Sequence, residues 1–291
     1  MFYGSMVAIV TPFKNGKIDE AAFKKLIDRQ IENGTSAIIP CGTTGESATL
    51  THAEHDQVIR LAVEFVNKKA KVLAGAGSNA THEAVRLNKS AEKLGADGTL
   101  HITPYYNRPN QEGLYQHFKA VAESSSIPVV LYNVPGRTGV NMLPETVARL
   151  SGISNIIGIK EAAGNLDQVK KLIELCPKDF LVLSGEDALT FDMYQMGARG
   201  SISVTANVAP KECALQWDYF KNGKIGEAQK ITEQLMPLHK IMFCDTNPIP
   251  VKAALAMMGL ITEEYRLPLV SLSKDLKEKL KKALQDFGIK I

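Results

Sequence analysis

Residues 129–160 read VVLYNVPGRTGVNMLPETVARLSGISNIIGIK and contain two strand patterns separated by a helix pattern. The runs Val129–Asn133 and Ile156–Lys160 are short, apolar and rich in β-branched residues, which is typical of strands buried on both faces. Between them, Pro144 suits the first turn of a helix that ends near Leu150. The segment therefore predicts one strand–helix–strand unit with parallel strands.

The same alternation extends from this segment toward both ends of the chain. Six more runs of this kind are separated by amphipathic helical patterns: Met6–Val10, Ala37–Pro40, Lys71–Ala74, Thr99–Thr103, Phe180–Ser184 and Ser201–Val204. Eight strands, each followed by a helix, predict an α/β fold, a (β/α)8 TIM barrel. A doubly wound open sheet is the alternative, because eight strands can also lie open.

Helix-ending signals and a change of pattern define the predicted organisation. Asp19 is an expected N-cap for residues 20–32, which Gly34 follows, and Thr51 with Glu54 forms an expected capping box for a helix reaching about Lys68. After residue 224 only helical patterns remain, over residues 225–243, 248–258 and 274–287. We predict a catalytic barrel over residues 1–224 and a C-terminal three-helix extension, residues 225–291, packed on it.

Composition excludes several classes of protein. The formal charge of +3 comes with no basic block, so it does not support binding to nucleic acid or to a membrane surface. The four cysteines are far apart and form no C-x-x-C motif, which argues against a disulfide scaffold or a structural zinc site: Cys41, Cys176, Cys213 and Cys244. With no signal-peptide pattern and no apolar run that spans a bilayer, we expect a cytoplasmic protein.

The chemistry of barrel enzymes lies at the carboxyl ends of the strands, and Lys160 is at such a position. Desolvation there disfavours the ammonium form, so a fraction of the side chain becomes a free amine that can attack a ketone. The alternative is an ordinary strand-end lysine in an ion pair with Glu161 or Glu186. Tyr132 ends the preceding strand and can exchange protons with such an amine, unless it only packs the barrel rim.

Two loops at the same end of the predicted barrel suit carboxylates. In Gly42–Glu46, glycines flank two threonines, so that backbone N–H groups and hydroxyls are available to a small carboxylate; the alternative is a plain glycine turn. Arg137 follows strand Val129–Asn133 and has the fork geometry that binds a carboxylate with two hydrogen bonds, unless it is merely solvated. Cys41 has no nearby histidine pattern, so we interpret it as buried packing.

Two other patterns point elsewhere. Gly75–Ala80 matches G-x-G-x-x-A between a strand and a helix, which is a weak dinucleotide-binding signal because it follows the third strand. His52 and His55 are three residues apart on one predicted helix but do not form H-E-x-x-H. We interpret them as two surface histidines at a helix N-terminus, and no metal site is predicted.

Seven motifs taken in chain order carry a resemblance to a known family. They are GTTGE at Gly42–Glu46, PYYNRP at Pro104–Pro109, YNVPGRTG at Tyr132–Gly139, IGIKEA at Ile157–Ala162, LSGED at Leu183–Asp187, SVTANV at Ser203–Val208 and TNPIPVK at Thr246–Lys252. The chain resembles the dihydrodipicolinate synthase family (4-hydroxy-tetrahydrodipicolinate synthases), within the N-acetylneuraminate lyase superfamily of pyruvate-dependent class I aldolases. The resemblance runs from the N-terminus to near Leu260, and more loosely to the end.

The resemblance implies a reaction and a set of roles. Lys160 forms an imine with pyruvate, which then condenses with aspartate semialdehyde in lysine and diaminopimelate biosynthesis. Tyr132, Thr43 and Tyr106 form a proton relay, Tyr106 coming from a neighbouring subunit of a homotetramer. The remaining roles are in substrate binding: Thr43 and Thr44 at the pyruvate carboxylate, Arg137 at the second carboxylate, and Gly185 and Ile202 in the pocket lining. No metal or organic cofactor is expected.

The resemblance also implies feedback inhibition by L-lysine. In lysine-inhibited members the effector pocket lies at a dimer interface, and its residues match Ser47, Ala48, His52, His55, Asn79, Glu83 and Tyr105. Glu83 is expected to take the amine of the effector, and Asn79 and Tyr105 its polar ends. His52, His55 and Glu83 also fit the simpler interpretation of exposed helix residues.

Three alternative functions remain open from the sequence. The first is another Schiff-base aldolase, such as N-acetylneuraminate lyase or a sugar-acid aldolase; Arg137 and the two threonines favour the synthase. The second is an NAD(P)-dependent oxidoreductase built on Gly75–Ala80, and the third is a non-catalytic binding protein that kept the barrel. His101 departs from the apolar pattern expected in its strand; we interpret it as a satisfied core histidine and assign it no function.

Overall fold

The computed structural model describes residues 2–291. Its strands, in chain order, are β1 Gly4–Ala8, β2 Phe13–Lys14, β3 Lys17–Ile18, β4 Ala37–Ile39, β5 Lys71–Gly75, β6 Gly98–Ile102, β7 Val129–Asn133, β8 Ile156–Glu161, β9 Leu181–Ser184 and β10 Gly200–Ser203. Its α-helices are α1 Glu20–Glu32, α2 His52–Val66, α3 Thr81–Lys93, α4 Gln111–Ala122, α5 Pro135–Thr138, α6 Pro144–Leu150, α7 Leu166–Leu175, α8 Thr190–Met196, α9 Pro210–Lys221, α10 Ile225–Ile241, α11 Ile249–Met257 and α12 Lys274–Phe287.

The main sheet closes on itself. Strand β1 pairs in parallel with β10, from Gly4 opposite Gly200 to Val7 opposite Ser203, and with β4, from Met6 opposite Ala37. The order around the barrel is β1, β10, β9, β8, β7, β6, β5, β4. The (β/α)8 prediction is confirmed and the open-sheet alternative is wrong, because the first and last strands of the series are hydrogen-bonded to each other.

Local signals placed most elements correctly. All eight predicted barrel strands are present, with ends shifted by at most two residues. Asp19 caps α1 by accepting a hydrogen bond from the Ala22 N–H at 3.0 Å, and Thr51 and Glu54 form both bonds of the capping box at α2. The β2–β3 hairpin and α5 were not predicted, because elements of two to four residues are too short to show a period.

Apolar layers inside and outside the barrel form the core. Interior side chains such as Met6, Leu73 and Leu183 fill the barrel itself. A larger cluster joins the outer faces of β1 and β4 to the helices that follow, and it includes Leu235 of α10 and Leu284 of α12. The C-terminal helices thus share one core with the barrel, and the division at residue 224 remains a prediction. Within residues 2–291, every helix falls short of the length and hydropathy that a bilayer crossing requires.

His101 in β6 is buried but only half satisfied. Its Nε2 lies 3.3 Å from Asn88 Oδ1, which also accepts from Thr99 Oγ1 at 2.7 Å. Because an amide oxygen only accepts, Nε2 carries the proton. The other ring nitrogen, Nδ1, is buried and has no hydrogen-bond partner among the described residues 2–291, and the same holds for Nε2 of the nearby His117. The interpretation as a satisfied core histidine was therefore half right.

The buried His101 ring makes stability depend on pH. Burial lowers its pKa from 6.5 to about 3, and repulsion from His117 adds to the shift. Below pH 6.5 the His101 side chain is therefore protonated in the unfolded chain but stays neutral in the folded protein. The free energy of unfolding consequently falls as the pH drops from about 6.5 toward the folded-state pKa of about 3. His101→Gln keeps a donor for Asn88 without the titration, so the slope of unfolding free energy against pH should decrease by up to about 1.4 kcal/mol per pH unit.

Denaturant unfolding measured between pH 7 and about pH 4.5 checks this expectation. His82→Gln is the matched control, because His82 is exposed at the start of α3. An unchanged slope in His101→Gln, or an equal decrease in His82→Gln, would contradict the assignment.

Candidate active site

Lys160 and Tyr132 face each other across neighbouring strands at the carboxyl end of the barrel. The two residues are directly paired in the β7–β8 register, and Lys160 Nζ lies 4.3 Å from the centre of the Tyr132 ring. Their exposed fractions are 6% and 8%. The amine predicted to be the nucleophile is thus largely removed from water and in contact with an aromatic hydroxyl-bearing side chain.

The interpretation of Lys160 as an ion-paired residue is not supported. Among residues 2–291, no carboxylate lies within ion-pair distance of its amine. Glu161 points to the other side of the strand, where its carboxylate accepts from Asn133, Gln168 at 3.0 Å and the Ala163 N–H at 2.7 Å. Burial raises the pKa of Glu161 despite these bonds.

A cavity of about 280 Å³ opens above these strand ends. Its wall includes Lys160, Tyr132, Thr43, Thr44, Arg137, Gly185, Glu186 and Asn247. The barrel closure therefore brings together most of the residues that the sequence singled out. Of the residues assigned to catalysis and substrate binding, Ile202 and Tyr106 lie outside this wall: Ile202 packs in the barrel interior with Tyr132 and Leu183, and Tyr106 is exposed.

The threonine loop after β4 is held by its own backbone and by a distant side chain. The Gly45 N–H donates to Gly42 O and the Glu46 N–H to Thr43 O, both at 3.1 Å. Asn247 Nδ2 donates to Thr44 Oγ1 at 3.0 Å. Thr43 and Thr44 are thereby fixed side by side on the cavity wall, as a carboxylate-binding loop requires.

Arg137 lies at the mouth of the same cavity. It belongs to the short helix α5, is exposed, and donates from Nη2 to the backbone oxygen of Asn247 at 3.2 Å. A guanidinium in this position can exchange a weak contact for a carboxylate entering from solvent.

Several glycines at this end are required by close packing. A Cβ on Gly75 would be 2.2 Å from Cys41 O, and a Cβ on Gly77 would be 2.5 Å from the Ile102 nitrogen. The G-x-G pattern therefore reflects contact between neighbouring strand ends. At Gly185 a Cβ would be 2.8 Å from Lys160 Cε, so this glycine leaves room for the lysine side chain.

Comparisons with known proteins agree with this geometry. The family model described as "Dihydrodipicolinate synthetase family" matches residues 1–287. A 4-hydroxy-tetrahydrodipicolinate synthase of Syntrophus aciditrophicus is 56% identical over 289 residues, which is 99% of each chain. The chain belongs to the dihydrodipicolinate synthetase family.

Solved structures of this family have the same fold. Dihydrodipicolinate synthase from Acinetobacter baumannii, solved in complex with pyruvate, superimposes with a TM-score of 0.97 at 46% identity, covering 99% of this chain and 100% of that one. The enzyme from Cyanidioschyzon merolae, solved with lysine bound, superimposes with a TM-score of 0.96 at 40% identity, covering 99% of each chain. The resemblance inferred from the seven motifs is confirmed.

A second, larger cavity of about 570 Å³ adjoins the first and shares Thr43, Tyr132 and Arg137 with it. Six of the seven residues assigned to the effector pocket line it: Ser47, Ala48, His52, His55, Glu83 and Tyr105. Asn79 lies outside its wall, and its backbone oxygen accepts from Asn107 at 2.9 Å.

The two histidines on α2 differ from each other. His52 is exposed and its Nε2 lies 2.7 Å from Glu83 Oε1. His55 is only 6% exposed, so its interpretation as a surface histidine was wrong. At the second turn of α2 its ring faces the barrel, where burial lowers its pKa.

Tyr106 does not line either cavity of the single chain. It is 90% exposed and has a positive φ of 71° in the loop after β6. A positive φ is uncommon for a bulky residue. Tyr106 does not contact Tyr132 or Thr43 within one subunit, so its predicted relay role requires another copy of the chain.

Two polar residues of the wall had no catalytic or binding role assigned from the sequence. Asn247 and Glu186 lie within motifs that carry the resemblance, TNPIPVK and LSGED, and Glu186 was considered only as a possible ion-pair partner of Lys160. Burial and the neighbouring Asp187 raise the pKa of Glu186, while Lys160 opposes the shift. Within residues 2–291, no group of three or more His, Cys, Asp or Glu side chains is arranged to hold a metal ion.

Cys41 should be chemically inert in the folded protein. It is 3% exposed, its Sγ contacts His55 O at 3.6 Å, and burial with the nearby Asp56 raises the pKa of its thiol well above the usual range. Iodoacetamide at about pH 8 should modify the partly exposed Cys244 first and leave Cys41 unmodified, because the thiolate is the reactive form.

Peptide mass mapping of modified cysteines measures this order. The unfolded protein, in which all four cysteines should react, serves as the control. Rapid modification of Cys41 in the native protein would mean that the thiol is accessible and ionised.

Proposed function

We propose that the chain is a lyase that condenses pyruvate with L-aspartate 4-semialdehyde, as a 4-hydroxy-tetrahydrodipicolinate synthase of lysine and diaminopimelate biosynthesis. One observation carries the proposal: a buried lysine amine, which no carboxylate of residues 2–291 pairs with, lies against a tyrosine in a cavity that also holds two threonines and an arginine. The curated relatives, at 53–56% identity over 99% of the chain, carry this activity in their names.

The chemistry begins on Lys160. Its unprotonated Nζ attacks the keto carbon of pyruvate, and the carbinolamine loses water to form a protonated imine. The imine withdraws electrons from the methyl group, which loses a proton to give an enamine. The enamine carbon bonds to the aldehyde carbon of the second substrate, and the aldehyde oxygen becomes a hydroxyl group. The amine of that substrate then attacks the imine carbon, closes the ring and releases Lys160.

Each of these steps moves a proton, and the cavity supplies hydroxyl groups for that purpose. Tyr132 lies against the amine, and Thr43 shares the cavity wall with it. We assign both to a relay, completed by Tyr106 of a neighbouring subunit. The 90% exposure of Tyr106 supports this assignment, because a homotetramer would bury the ring.

The substrate carboxylates are assigned by position. Thr43 and Thr44 offer hydroxyls and turn N–H groups beside the amine, so we assign the pyruvate carboxylate to them. Arg137 at the mouth takes the carboxylate of aspartate semialdehyde. Gly185 leaves space next to Lys160, and Ile202 supports the pocket from the barrel interior. Holding both substrates makes carbon–carbon bond formation effectively intramolecular.

The organisation and location of the protein are part of the same proposal. We assign residues 1–224 to a catalytic barrel and residues 225–291 to an extension, which contributes Asn247 to the wall of the site. The cytoplasm is the proposed compartment, because four unpaired cysteines suit a reducing environment.

Trapping of the imine tests the proposal. Borohydride in the presence of pyruvate should reduce the imine and leave a pyruvyl adduct on the peptide that contains Lys160. Lys160→Ala should lose the adduct and reduce kcat/KM by at least about 10³-fold, because Lys160 supplies the only amine that residues 2–291 place on the cavity wall.

The substrate panel provides the control. Pyruvate with aspartate semialdehyde should give product, whereas N-acetylmannosamine or glyceraldehyde in its place should give little. An adduct on another lysine would remove Lys160 from its role, and preference for a sugar aldehyde would support an aldolase instead.

We further propose feedback inhibition by L-lysine at the larger cavity. Glu83 lines that cavity, and hydrogen bonds from Ser78 and His52 lower the pKa of its carboxylate. It is therefore ionised at neutral pH and suited to an ammonium group. The family member from Cyanidioschyzon merolae was solved with lysine bound, which supports the assignment.

L-Lysine at millimolar concentration should reduce the activity of the wild-type protein. Inhibition of the Glu83→Gln variant to the same extent should require at least about tenfold more lysine, because the substitution removes the charge that binds the amine of the effector. Activity measured against lysine concentration, with D-lysine as the control, checks both statements. A wild-type protein insensitive to L-lysine would exclude the regulatory site.

A further inference from the structure

A second lysine of this chain is also buried, and it has a different environment from Lys160. Lys252 lies in α11 and its side chain is fully inaccessible. Its Nζ forms an ion pair with Glu46 Oε1, whose side chain is also fully buried, and lies 4.3 Å from the centre of the Phe13 ring. Burial lowers the pKa of Lys252, and Glu46 counteracts the shift.

Glu46 is the last residue of the threonine loop. Its backbone is left-handed, with φ 53° and ψ 35°, a conformation that a glutamate adopts only when its surroundings impose it. Its N–H donates to Thr43 O at 3.1 Å, and its own carbonyl accepts from the Thr49 N–H at 2.9 Å. The position of Glu46 therefore sets the turn that carries Thr43 and Thr44.

The carboxylate of Glu46 is held from two directions by the C-terminal extension. Lys252 binds one oxygen, and the backbone N–H of Arg266 donates to the other at 3.2 Å. The Arg266 guanidinium also donates to Thr49 O at 3.1 Å and binds Glu54, further along the same segment. Two points of the chain between β4 and α2, Glu46 and Thr49, are thus fixed by residues more than 200 positions away.

Stability alone does not account for an ion pair at this place. Two apolar side chains of similar volume would fill the space with equal or greater stability, because both charges lose their hydration on burial. The ion pair instead fixes the orientation of the Glu46 side chain, because a carboxylate that is bonded on both oxygens can adopt only one orientation. The residue so oriented lies three positions after Thr43 and two after Thr44.

We propose that Glu46, fixed by Lys252, is a positioning residue that holds the threonine loop in the geometry needed to bind the carboxylate of pyruvate. The inference rests on the proposed function, because it assigns the first substrate to this loop. The C-terminal extension thereby acts on the first substrate without contacting the reacting atoms. The second substrate, held at Arg137, does not depend on the ion pair.

Separate Michaelis constants for the two substrates test the inference. Lys252→Met, Glu46→Gln and the double variant E46Q/K252M should each raise KM for pyruvate about tenfold, because misplaced groups on the threonine loop bind the pyruvate carboxylate less tightly. KM for aspartate semialdehyde should change by less than about twofold. The double variant contains no unpaired buried charge, so it should be more stable than Lys252→Met. The double variant therefore still tests the inference if Lys252→Met does not fold.

Lys277→Met is the matched control. It removes an ion pair between α12 and Glu263 in the same extension, away from the threonine loop, and should leave both KM values unchanged. Two results would overturn the inference: wild-type KM for pyruvate in the double variant, or a pyruvate defect of equal size in Lys277→Met.

Borohydride trapping separates this inference from the proposed function. At saturating pyruvate, the adduct should still form on Lys160 in E46Q/K252M. If wild type forms no adduct, the proposed function fails. If wild type forms it and KM for pyruvate is unaffected by the variants, only the positioning role fails.

Discussion

The register between β7 and β8 is the constraint on which the site depends. Tyr132 is paired with Lys160, and the next residues on each strand, Asn133 and Glu161, are paired as well. Side chains alternate between the two faces of a strand, so one pair points toward the barrel mouth and the next toward the surrounding helices. A shift of β8 by one residue would turn Lys160 away from the barrel mouth and put Glu161 in its place. In the observed register the Glu161 carboxylate faces the other side and accepts hydrogen bonds from Asn133 and Gln168.

Closure of the barrel turns this local pairing into a cavity. Hydrogen bonds between β1 and both of its neighbours bring the ends of all eight strands onto one rim. The threonine loop after β4, Arg137 after β7 and Gly185 after β9 then surround Lys160. An open sheet would have spread these groups along an edge.

The two buried lysines have different environments, which suit them to different roles. Lys252 has a carboxylate beside it and forms an ion pair that fixes a loop. Lys160 has an aromatic ring and a cavity beside it, so its amine is available to a substrate. Removing a charge from water is costly, and at Lys252 the carboxylate of Glu46 offsets that cost. At Lys160 the space beside the amine is instead open to a substrate.

Local sequence patterns were enough to predict the order of strands and helices, the helix caps, and the placement of Lys160, Tyr132, Thr43 and Arg137 at strand ends. These features depend on neighbours within a few residues, through periodicity, capping and β-branching. The folded barrel was needed to reveal the burial of His55, the environment of the His101 ring, and the contacts of Asn247 and Lys252 with the threonine loop. Those contacts join residues 203 and 206 positions apart, and no local pattern encodes which distant side chains meet when the barrel closes and the C-terminal helices pack against it.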